Sequence, residues 1–151
     1  MKMSDAGRQR LTERFEGLKL CVYPDPGTGS TPLTAGYGHT GADVTLGMTV
    51  TQAQADEWLA QDLGSAESAV NRLVRVALTQ DQFDACCDFC FNVGSGNFAG
   101  STLLTMINNS DFDGADAQFG RWVYAHGQVL QGLVARRAQE AAAFSGDAYG
   151  I

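Results

Sequence analysis

Three short motifs near the amino terminus carry two carboxyl groups and a hydroxyl group. Glu16 is followed by Gly17 and ends an amphipathic segment. Asp25 lies nine positions later between two prolines, and Thr34 opens a Thr-Ala-Gly-Tyr-Gly sequence after nine more. Prolines and glycines restrict the backbone to a few turn conformations, so the stretch predicts one short, rigid unit that holds all three side chains. Acid-catalysed hydrolysis of a glycosidic bond requires two such carboxyl groups.

The segment that leads to Glu16 predicts a helix. Ser4 is a suitable N-cap, and Gly17 is a suitable C-cap residue. Leu11 and Phe15 recur between them at helical spacing. The last turn of a helix presents partial negative charge, which disfavours an ionised carboxyl group. We therefore expect Glu16 to hold a proton that it can donate; the alternative is a solvated glutamate at the surface.

Asp25 and Thr34 each have a structural alternative. An aspartate in a Pro-Asp-Pro-Gly sequence often caps its own turn through its side chain, and for Asp25 that role and a catalytic one can coexist. For Thr34 the alternative is a half-buried threonine in a strand. The glycines that follow Thr34 allow a close backbone approach or a positive φ.

Capping boxes predict where two later helices begin. Thr51 with Gln54 and Thr79 with Gln82 both have the required spacing of three positions. After the second box, apolar residues recur at the spacing of a helix face that packs in a core. These residues are Phe83, Cys86, Cys87, Cys90 and Phe91.

The remaining patterns define the predicted fold class. Shorter helical patterns cover about 101–108, 111–124 and 132–145, whereas strand-like sequence is confined to about 18–48. We predict an α+β chain that is mostly helical. Residues 1–151 are expected to form a single domain, with a small β-rich lobe at about 18–63. The N-terminal helix and residues 64–151 are expected to form a larger helical lobe.

Two cysteines have the spacing of a metal site, but the rest of the sequence does not support one. Cys87 and Cys90 have the Cys-x-x-Cys spacing of metal and redox sites, but a zinc site needs four ligands and the sequence has no second paired motif. Cysteines on the apolar face of a capped helix are usually small core residues. We therefore predict no bound metal, and we expect Cys21 to face the less buried side of a strand.

A series of motifs runs along nearly the whole chain in one order. They are Glu16-Gly17-x-Lys19-Leu20-x-x-Tyr23-x-Asp25, Thr34-x-Gly36-Tyr37-Gly38-His39-Thr40, Leu78-Thr79-x-x-Gln82-Phe83-Asp84-Ala85, Phe91-Asn92-Val93-Gly94-x-Gly96-x-Phe98, Ser101-Thr102-Leu103-Leu104, Arg121-Trp122 and Gly132-Leu133-Val134-x-Arg136-Arg137-x-x-Glu140. In order and spacing they resemble the phage-type lysozymes, glycoside hydrolase family 24. The resemblance implies a lysozyme-like fold with a cleft between two lobes. It also implies a muramidase that needs no cofactor and inverts the anomeric carbon.

The resemblance assigns roles to the three motif residues. It makes Glu16 the proton donor and Asp25 the carboxylate that assists the attacking water. It makes Thr34 the residue that positions this water. Because inversion requires a water between the two carboxyl groups, they must lie far enough apart to admit one.

The resemblance also indicates residues that bind substrate or support the site. It places Phe91, Asn92, Gly94 and Thr102 on the floor of the cleft. A structural alternative remains for Phe91, which also ends the apolar helix face and would then pack in the core.

Four residues are candidates for a supporting role. His39 is expected to be a hydrogen-bonding anchor, with Asp62 as its partner. For Arg136 and Arg137 two hypotheses are equally favoured. Either they belong to a surface ion pair with Glu140, or one of them holds the end of the Glu16 helix in place.

The expected partner is the glycan strand of peptidoglycan. We expect the protein to be a monomer that binds no nucleic acid and does not insert stably into a membrane. The sequence has no apolar signal segment and no run long enough to span a membrane. We therefore expect synthesis in the host cytoplasm and action on the periplasmic side of the cell wall. If the source is a phage, a holin would have to permeabilise the membrane first. Two alternatives stay open: a non-catalytic wall-binding or structural protein, and a related chitinase or lytic transglycosylase.

Overall fold

The computed structural model describes residues 1–22 and 33–146. After an N-terminal helical segment, the helices span Gln52–Leu73, Gln80–Val93, Ser95–Ala99, Thr102–Asn108, Phe112–Gln118 and Gln131–Ser145, and a 3₁₀ turn spans Phe119–Arg121. The described residues are mostly helical and contain one small antiparallel sheet, which confirms the predicted fold class. Within these two stretches of chain, no helix has both the length and the apolar character needed to cross a membrane.

The N-terminal helical segment ends where the sequence predicted. It is α-helical over Asp5–Gly7, π-helical over Arg8–Glu13 and α-helical again over Arg14–Glu16. The Ser4 hydroxyl oxygen caps its start by accepting a hydrogen bond from the backbone N–H of Gly7 at 3.0 Å. Gly17 has a φ of 69°, the left-handed conformation in which glycine commonly terminates a helix. Glu16 is therefore the last helical residue.

The capping interactions of the later helices are also those predicted. At the start of the Gln80–Val93 helix, the backbone N–H of Gln82 donates to the Thr79 hydroxyl at 3.1 Å. The backbone N–H of Thr79 donates in return to the Gln82 side chain at 2.9 Å. Thr51 likewise accepts from the backbone N–H of Gln54 at 3.1 Å. Each cap satisfies a helix-end donor within three positions of sequence, which is why local sequence could predict it.

The chain divides by its contacts into two compact units, Glu16–Asp62 on the one hand and Met1–Phe15 with Leu63–Ile151 on the other. The second of these, which we call the helical unit, has an aromatic core around Phe89. The Phe89 ring makes edge-on contacts with Phe98, Phe119 and Trp122, at centroid distances of 6.1, 5.6 and 5.4 Å. Edge-to-face packing of this kind stabilises a pair of aromatic rings by more than the burial of their apolar surface alone.

Three of the cysteines lie inside this core, as predicted. Cys86, Cys87 and Cys90 are buried and free, whereas Cys21 is exposed. Burial raises the pKa of Cys90 to about 11, although the charge of Arg72 lowers it. Burial also raises the pKa of Cys86 and Cys87 far above the usual range. All three therefore remain neutral thiols at physiological pH and pack as small apolar groups.

The Glu16–Asp62 unit has its own small core, formed by Val22, Ala35, Val44, Val50, Ala55 and Trp58. The prediction that strand-like structure is confined to about 18–48 is wrong. The described part of this unit contains isolated bridges, which pair Lys19 with Gly36, Cys21 with Thr49 and Ala35 with His39. A bridge joins a single pair of residues, so the described residues of this unit, 16–22 and 33–62, are joined by bridges and not by a ladder.

The two-stranded sheet lies instead in the helical unit, where Tyr124–Ala125 pairs with Gln128–Val129. The helical spacing of the apolar residues before Tyr124 predicted instead a helix over about 111–124. The signal for the hairpin is the two-residue loop His126-Gly127, which has φ values of 52° and 78°. Positive φ at both loop positions gives the backbone twist that joins antiparallel strands.

Candidate active site

The carboxyl group of Glu16 lies against the Gly38 backbone. Both residues belong to the Glu16–Asp62 unit, and Glu16 is half-buried. A Cβ atom added to Gly38 would lie 2.8 Å from Oε2 of Glu16, closer than carbon and oxygen normally approach. Gly38 also has a φ of 76°, which favours glycine. Gly38 therefore meets two requirements at once: a left-handed backbone and space for the Glu16 carboxyl group.

The turn that carries Gly38 is closed by backbone hydrogen bonds. Ala35 and His39 exchange two of them, at 3.0 and 2.9 Å. Gly36 and Lys19 exchange two more, at 2.7 and 2.8 Å. Because Lys19 follows Glu16 by three positions, these bonds connect the Ala35–His39 turn to the chain just after the helix end.

Of the three residues predicted to carry catalysis, the structure describes two. Thr34 is half-buried and directly precedes the Ala35–His39 turn, so it lies one residue from the bridge that closes the turn. Asp25 lies outside the described residues. The structure therefore brings the Glu16 carboxyl group to the turn that follows Thr34, and the role of each residue stays a prediction.

His39 lies between two carboxylates and against an indole ring. Its Nδ1 is 2.8 Å from Oδ2 of Asp62, the partner that the sequence predicted. Its Nε2 is 3.0 Å from each carboxylate oxygen of Asp43, a partner that the sequence analysis missed. The imidazole stacks on Trp58 with centroids 4.3 Å apart and ring planes 14° apart.

The charge state of His39 follows from these neighbours. Burial lowers the pKa of His39, but the hydrogen bonds and charges of Asp62 and Asp43 outweigh burial, so that the pKa lies above its usual value. A stacked indole face also favours a cationic ring. His39 is therefore stabilised as an imidazolium.

Arg136 and Arg137 do not belong to a surface ion pair, so that hypothesis is wrong. Both side chains are buried, as are their partners Asp88 and Glu140. The Nε and Nη2 atoms of Arg136 donate to the two Asp88 oxygens at 2.9 and 2.8 Å. Arg137 contacts both Glu140 oxygens at 2.7 Å. The sequence identified the i, i+4 spacing of Arg136 and Glu140, but it gave no sign of Asp88, which lies 48 positions earlier on the Gln80–Val93 helix.

The two buried carboxyl groups have opposite pKa shifts. Burial alone would raise the pKa of Asp88, but hydrogen bonds from Arg136, Glu140 and Thr12 lower it below its usual value. For Glu140, burial and the neighbouring Asp88 charge raise the pKa well above the usual value, despite both arginines. The two carboxyl groups hydrogen-bond to each other. Of the two carboxyl groups, Asp88 is therefore the one that loses its proton more readily.

This buried network also contacts the N-terminal helical segment. Thr12 donates its hydroxyl hydrogen to Oδ1 of Asp88 at 2.8 Å. The Arg136 guanidinium carbon lies 5.9 Å from the centroid of the Phe15 ring, within the range of a cation–π contact. The segment is therefore held by two interactions in the helical unit, up to the residue before Glu16.

Three of the four residues predicted to bind substrate, Phe91, Asn92 and Gly94, lie at the end of the Gln80–Val93 helix. Asn92 lines a cavity of about 590 Å³ in the helical unit, together with Asn97, Arg121, Trp122 and Tyr124. Gly94 has a φ of 94° and ends the helix, and Thr102 is the first residue of the Thr102–Asn108 helix. Phe91 is partly buried against the core.

The aromatic side of this cavity was missed by the sequence analysis. Tyr124 is 65% exposed, and it was predicted to be helical. The available signal was its position two residues before the His126-Gly127 loop, which places Tyr124 in a strand of the hairpin.

Residues 1–22 and 33–146 contain no cluster of three or more histidine, cysteine or carboxylate side chains arranged to hold a metal ion.

The family model and the related sequences point to the same protein family. A sequence model of the family described as phage lysozyme matches residues 13–140. The endolysin of Bacillus phage PZA is 43% identical over 145 residues, which cover 96% of this chain and 55% of that protein. The endolysin of Salmonella phage P22 is 40% identical over 148 residues, covering 95% of this chain and 98% of the P22 protein. The chain thus spans about half the length of the Bacillus phage relative and nearly all of the P22 relative.

Solved structures agree with the sequence comparison. A mutant of P22 lysozyme has a TM-score of 0.82 at 39% identity, covering 96% of this chain and 99% of that one. The muramidase domain of SpmX from Asticcacaulis excentricus has a TM-score of 0.84 at 38% identity, covering 95% and 97% of the two chains. The chain belongs to the phage lysozyme family. The class of protein predicted from its motifs, a lysozyme-type hydrolase of the cell wall, is confirmed.

Proposed function

We propose that the chain is an inverting N-acetylmuramidase that lyses the bacterial cell wall. It would hydrolyse the β-1,4 bond between N-acetylmuramic acid and N-acetylglucosamine in peptidoglycan without a cofactor. Family membership supports the reaction class. The observation that carries the site assignment is the approach of the Glu16 carboxyl group to Gly38, because an added Cβ would lie only 2.8 Å from Oε2.

Glu16 acts as the general acid in this proposal. It donates its proton to the glycosidic oxygen as the bond between that oxygen and the anomeric carbon breaks. Asp25 accepts a proton from the water that attacks the opposite face of the sugar, and Thr34 holds that water. An inverting reaction of this kind needs carboxyl groups about 6.5–9.5 Å apart. The product carries the opposite anomeric configuration at the new reducing end.

We propose that the remaining predicted residues bind glycan or support the site. Asn92, Gly94, Thr102 and Phe91 would contact the strand at the end of the Gln80–Val93 helix. The side-chain amide of Asn92 is suited to sugar hydroxyl and acetamido groups. Asn92 also lines the cavity that contains Trp122 and Tyr124, whose aromatic faces suit a sugar ring.

Arg136 and Arg137 are proposed to act through the fold and not by touching glycan. Arg136 orients Asp88, which accepts the Thr12 hydroxyl bond, and Thr12 precedes Glu16 by one helical turn. Arg137 pairs with Glu140 and lies over the Phe89 ring, 5.1 Å from its centroid. Both side chains are buried, which supports a structural task.

We propose that the protein is a monomer that acts on the periplasmic side of the wall after synthesis in the cytoplasm. A phage protein of this kind would reach the wall through a membrane made permeable by a holin. Release of wall fragments only after membrane permeabilisation of expressing cells would support this route. Lysis of cells with an intact membrane would refute it.

Mass spectrometry of fragments released from purified sacculi tests the reaction. A muramidase releases muropeptides that end in reducing N-acetylmuramic acid. An anhydro end would identify a lytic transglycosylase, and no release would identify a binding protein; either result would refute the proposal.

Variants test the assigned acid in the same assay. Glu16→Gln keeps the shape of the side chain but cannot donate the catalytic proton, so release should stop. The matched control is Glu57→Gln, an exposed glutamate in the same unit, and it should retain wild-type release. A folded Glu16→Gln protein with wild-type activity would remove Glu16 from the acid role.

A further inference from the structure

The two carboxylates around His39 require that both ring nitrogens carry a hydrogen. Nδ1 faces Asp62 at 2.8 Å and Nε2 faces Asp43 at 3.0 Å. A neutral imidazole has one N–H and one lone pair, so one carboxylate would then face the lone pair. Only the imidazolium form satisfies both contacts at once.

The backbone of His39 closes the turn that lies against Glu16. His39 donates to the Ala35 carbonyl at 2.9 Å and accepts from the Ala35 N–H at 3.0 Å. Gly38, the residue before His39, faces Oε2 of Glu16. The side chain of His39 is anchored on the Gln52–Leu73 helix through Asp62 and Trp58. A continuous set of contacts therefore runs from that helix through His39 to the turn and the carboxyl group of Glu16.

The groups that face the ring come from two elements. Asp62 and Trp58 belong to the Gln52–Leu73 helix, and Asp43 belongs to the loop that follows the turn. Asp43 is the more exposed of the two carboxylates. It can therefore be changed with less disturbance of the packing.

We propose that the His39 imidazolium, held between Asp62 and Asp43, is a positioning residue that sets the Ala35–His39 turn against the Glu16 carboxyl group, and that loss of its proton loosens the turn and slows catalysis. The proposal rests on the proposed function of Glu16. His39 itself does not touch the reacting atoms in this scheme. Its effect should therefore fall on kcat and leave KM unchanged.

The kinetic test compares Asp43→Asn with wild type across pH. The asparagine carbonyl still accepts a hydrogen bond from Nε2 but no longer stabilises the positive charge, so His39 loses its proton at lower pH. The ratio of variant to wild-type kcat should be near one at pH about 5.5, where His39 is protonated in both proteins. It should fall about threefold or more near pH 7.5. Using the ratio cancels the titration of the catalytic carboxyl groups.

Asp56→Asn is the matched control. Asp56 is an exposed carboxylate on the Gln52–Leu73 helix, which also carries Asp62. It accepts a hydrogen bond from the Gln52 side chain at 2.8 Å. Its replacement changes the net charge by the same amount as Asp43→Asn. Its kcat ratio should be constant over the same pH range. Asp43→Glu, which restores the carboxylate, should recover most of the wild-type profile. A flat ratio for Asp43→Asn would overturn the proposal.

NMR provides a readout that does not need activity. The chain has two histidines, so the His39 ring signals can be assigned with His126 as the internal reference. The backbone amides of Gly36 and Gly38 should shift with the same midpoint as the His39 ring, and Asp43→Asn should lower that midpoint. Amides that do not follow the ring would overturn the proposal whatever the enzyme does. A wild-type protein that releases no wall fragments, with amides that follow the ring, would refute the proposed function and not the turn coupling.

Discussion

Thr12 donates its hydroxyl hydrogen to Oδ1 of Asp88 at 2.8 Å, in a part of the helical unit where both side chains are fully buried. The same carboxylate accepts two hydrogen bonds from Arg136. A buried carboxylate without such donors would be costly, because water is not there to solvate it. Thr12 thus both completes the environment of Asp88 and ties the N-terminal helical segment to the Gln80–Val93 helix.

Thr12→Val should destabilise the fold, because valine has the shape of threonine without its hydroxyl group. Loss of a hydrogen bond to a buried charge typically costs about 1.5–3 kcal/mol. The free energy of unfolding from urea titration measures this. Thr105→Val, an exposed position on the Thr102–Asn108 helix, is the control and should change stability by less than about 0.5 kcal/mol. Equal losses in the two variants would contradict the role of the buried contact.

Asp88→Asn should be more destabilising than Glu140→Gln. The lowered pKa of Asp88 marks a carboxyl group that is ionised in the fold, so removing its charge leaves Arg136 buried without its counter-ion. Breaking a buried pair in this way costs about 3–5 kcal/mol. The raised pKa of Glu140 favours its neutral form, which glutamine resembles. Urea titration of both variants at pH 7 checks the order, and the reverse order would contradict the charged state of Asp88.

The pH dependence of stability should reveal the His39 contacts through Asp62→Asn. Because the folded pKa of His39 is raised, its contribution is fully present below the unfolded value of about 6.5. It is lost as the pH rises through the folded pKa. Asp62→Asn should therefore be less stable than wild type at pH about 6, and the two curves should converge at alkaline pH. Thermal unfolding from pH 5 to 10 measures this, and a constant difference would exclude an ionic contribution.

Gly38→Ala should lose activity beyond its cost in stability. An added Cβ meets Oε2 of Glu16 at 2.8 Å, and the carboxyl group at the end of this flexible side chain would have to move. Misplacement of a catalytic group by about 1 Å can cost on the order of a hundredfold in rate. Gly47→Ala is a close control, because Gly47 also has a positive φ, of 82°, but its Cβ would meet nothing within 4 Å.

Both alanine variants should lose stability of a similar size, on the order of 1 kcal/mol, from the positive φ. Only Gly38→Ala should lose kcat on purified sacculi. Equal activity in the two variants would show that Glu16 adapts freely and that its position against Gly38 does not matter for catalysis.

The sequence predicted best those features that are decided within one turn of a helix. The Ser4 and Thr79 caps and the Gly17 terminus depend on neighbours within three or four positions, so pattern and chemistry together suffice. The buried pairing of Arg136 with Asp88 joins residues separated by 48 positions. Nothing local marks such a partner, so the sequence favoured a surface ion pair as strongly as an arginine that holds the end of the Glu16 helix.

The sequence predicted which residues form the site better than it predicted how they are arranged. His39 and Asp62 were paired from the family resemblance, and their contact at 2.8 Å is present. Asp43 was overlooked because an aspartate in a glycine-containing turn usually serves its own backbone. Its reach to Nε2 depends on the fold of the loop around Gly41, whose φ is 148°. Side-chain spacing alone does not encode that fold.

The last prediction concerns the acidic charge of the chain. Its formal net charge of −7 should repel a wall rich in carboxylates and phosphates, and this slows encounter and not chemistry. Salt screens that field to about 8 Å at physiological ionic strength. Raising salt from very low to moderate concentration should therefore speed lysis of sacculi, and the hydrolysis of a short neutral chitooligosaccharide should change much less. The initial rate of turbidity loss against ionic strength measures the effect. A steady decrease with salt would show instead that basic residues near the glycan, such as Arg121 on the rim of the 590 Å³ cavity, govern encounter.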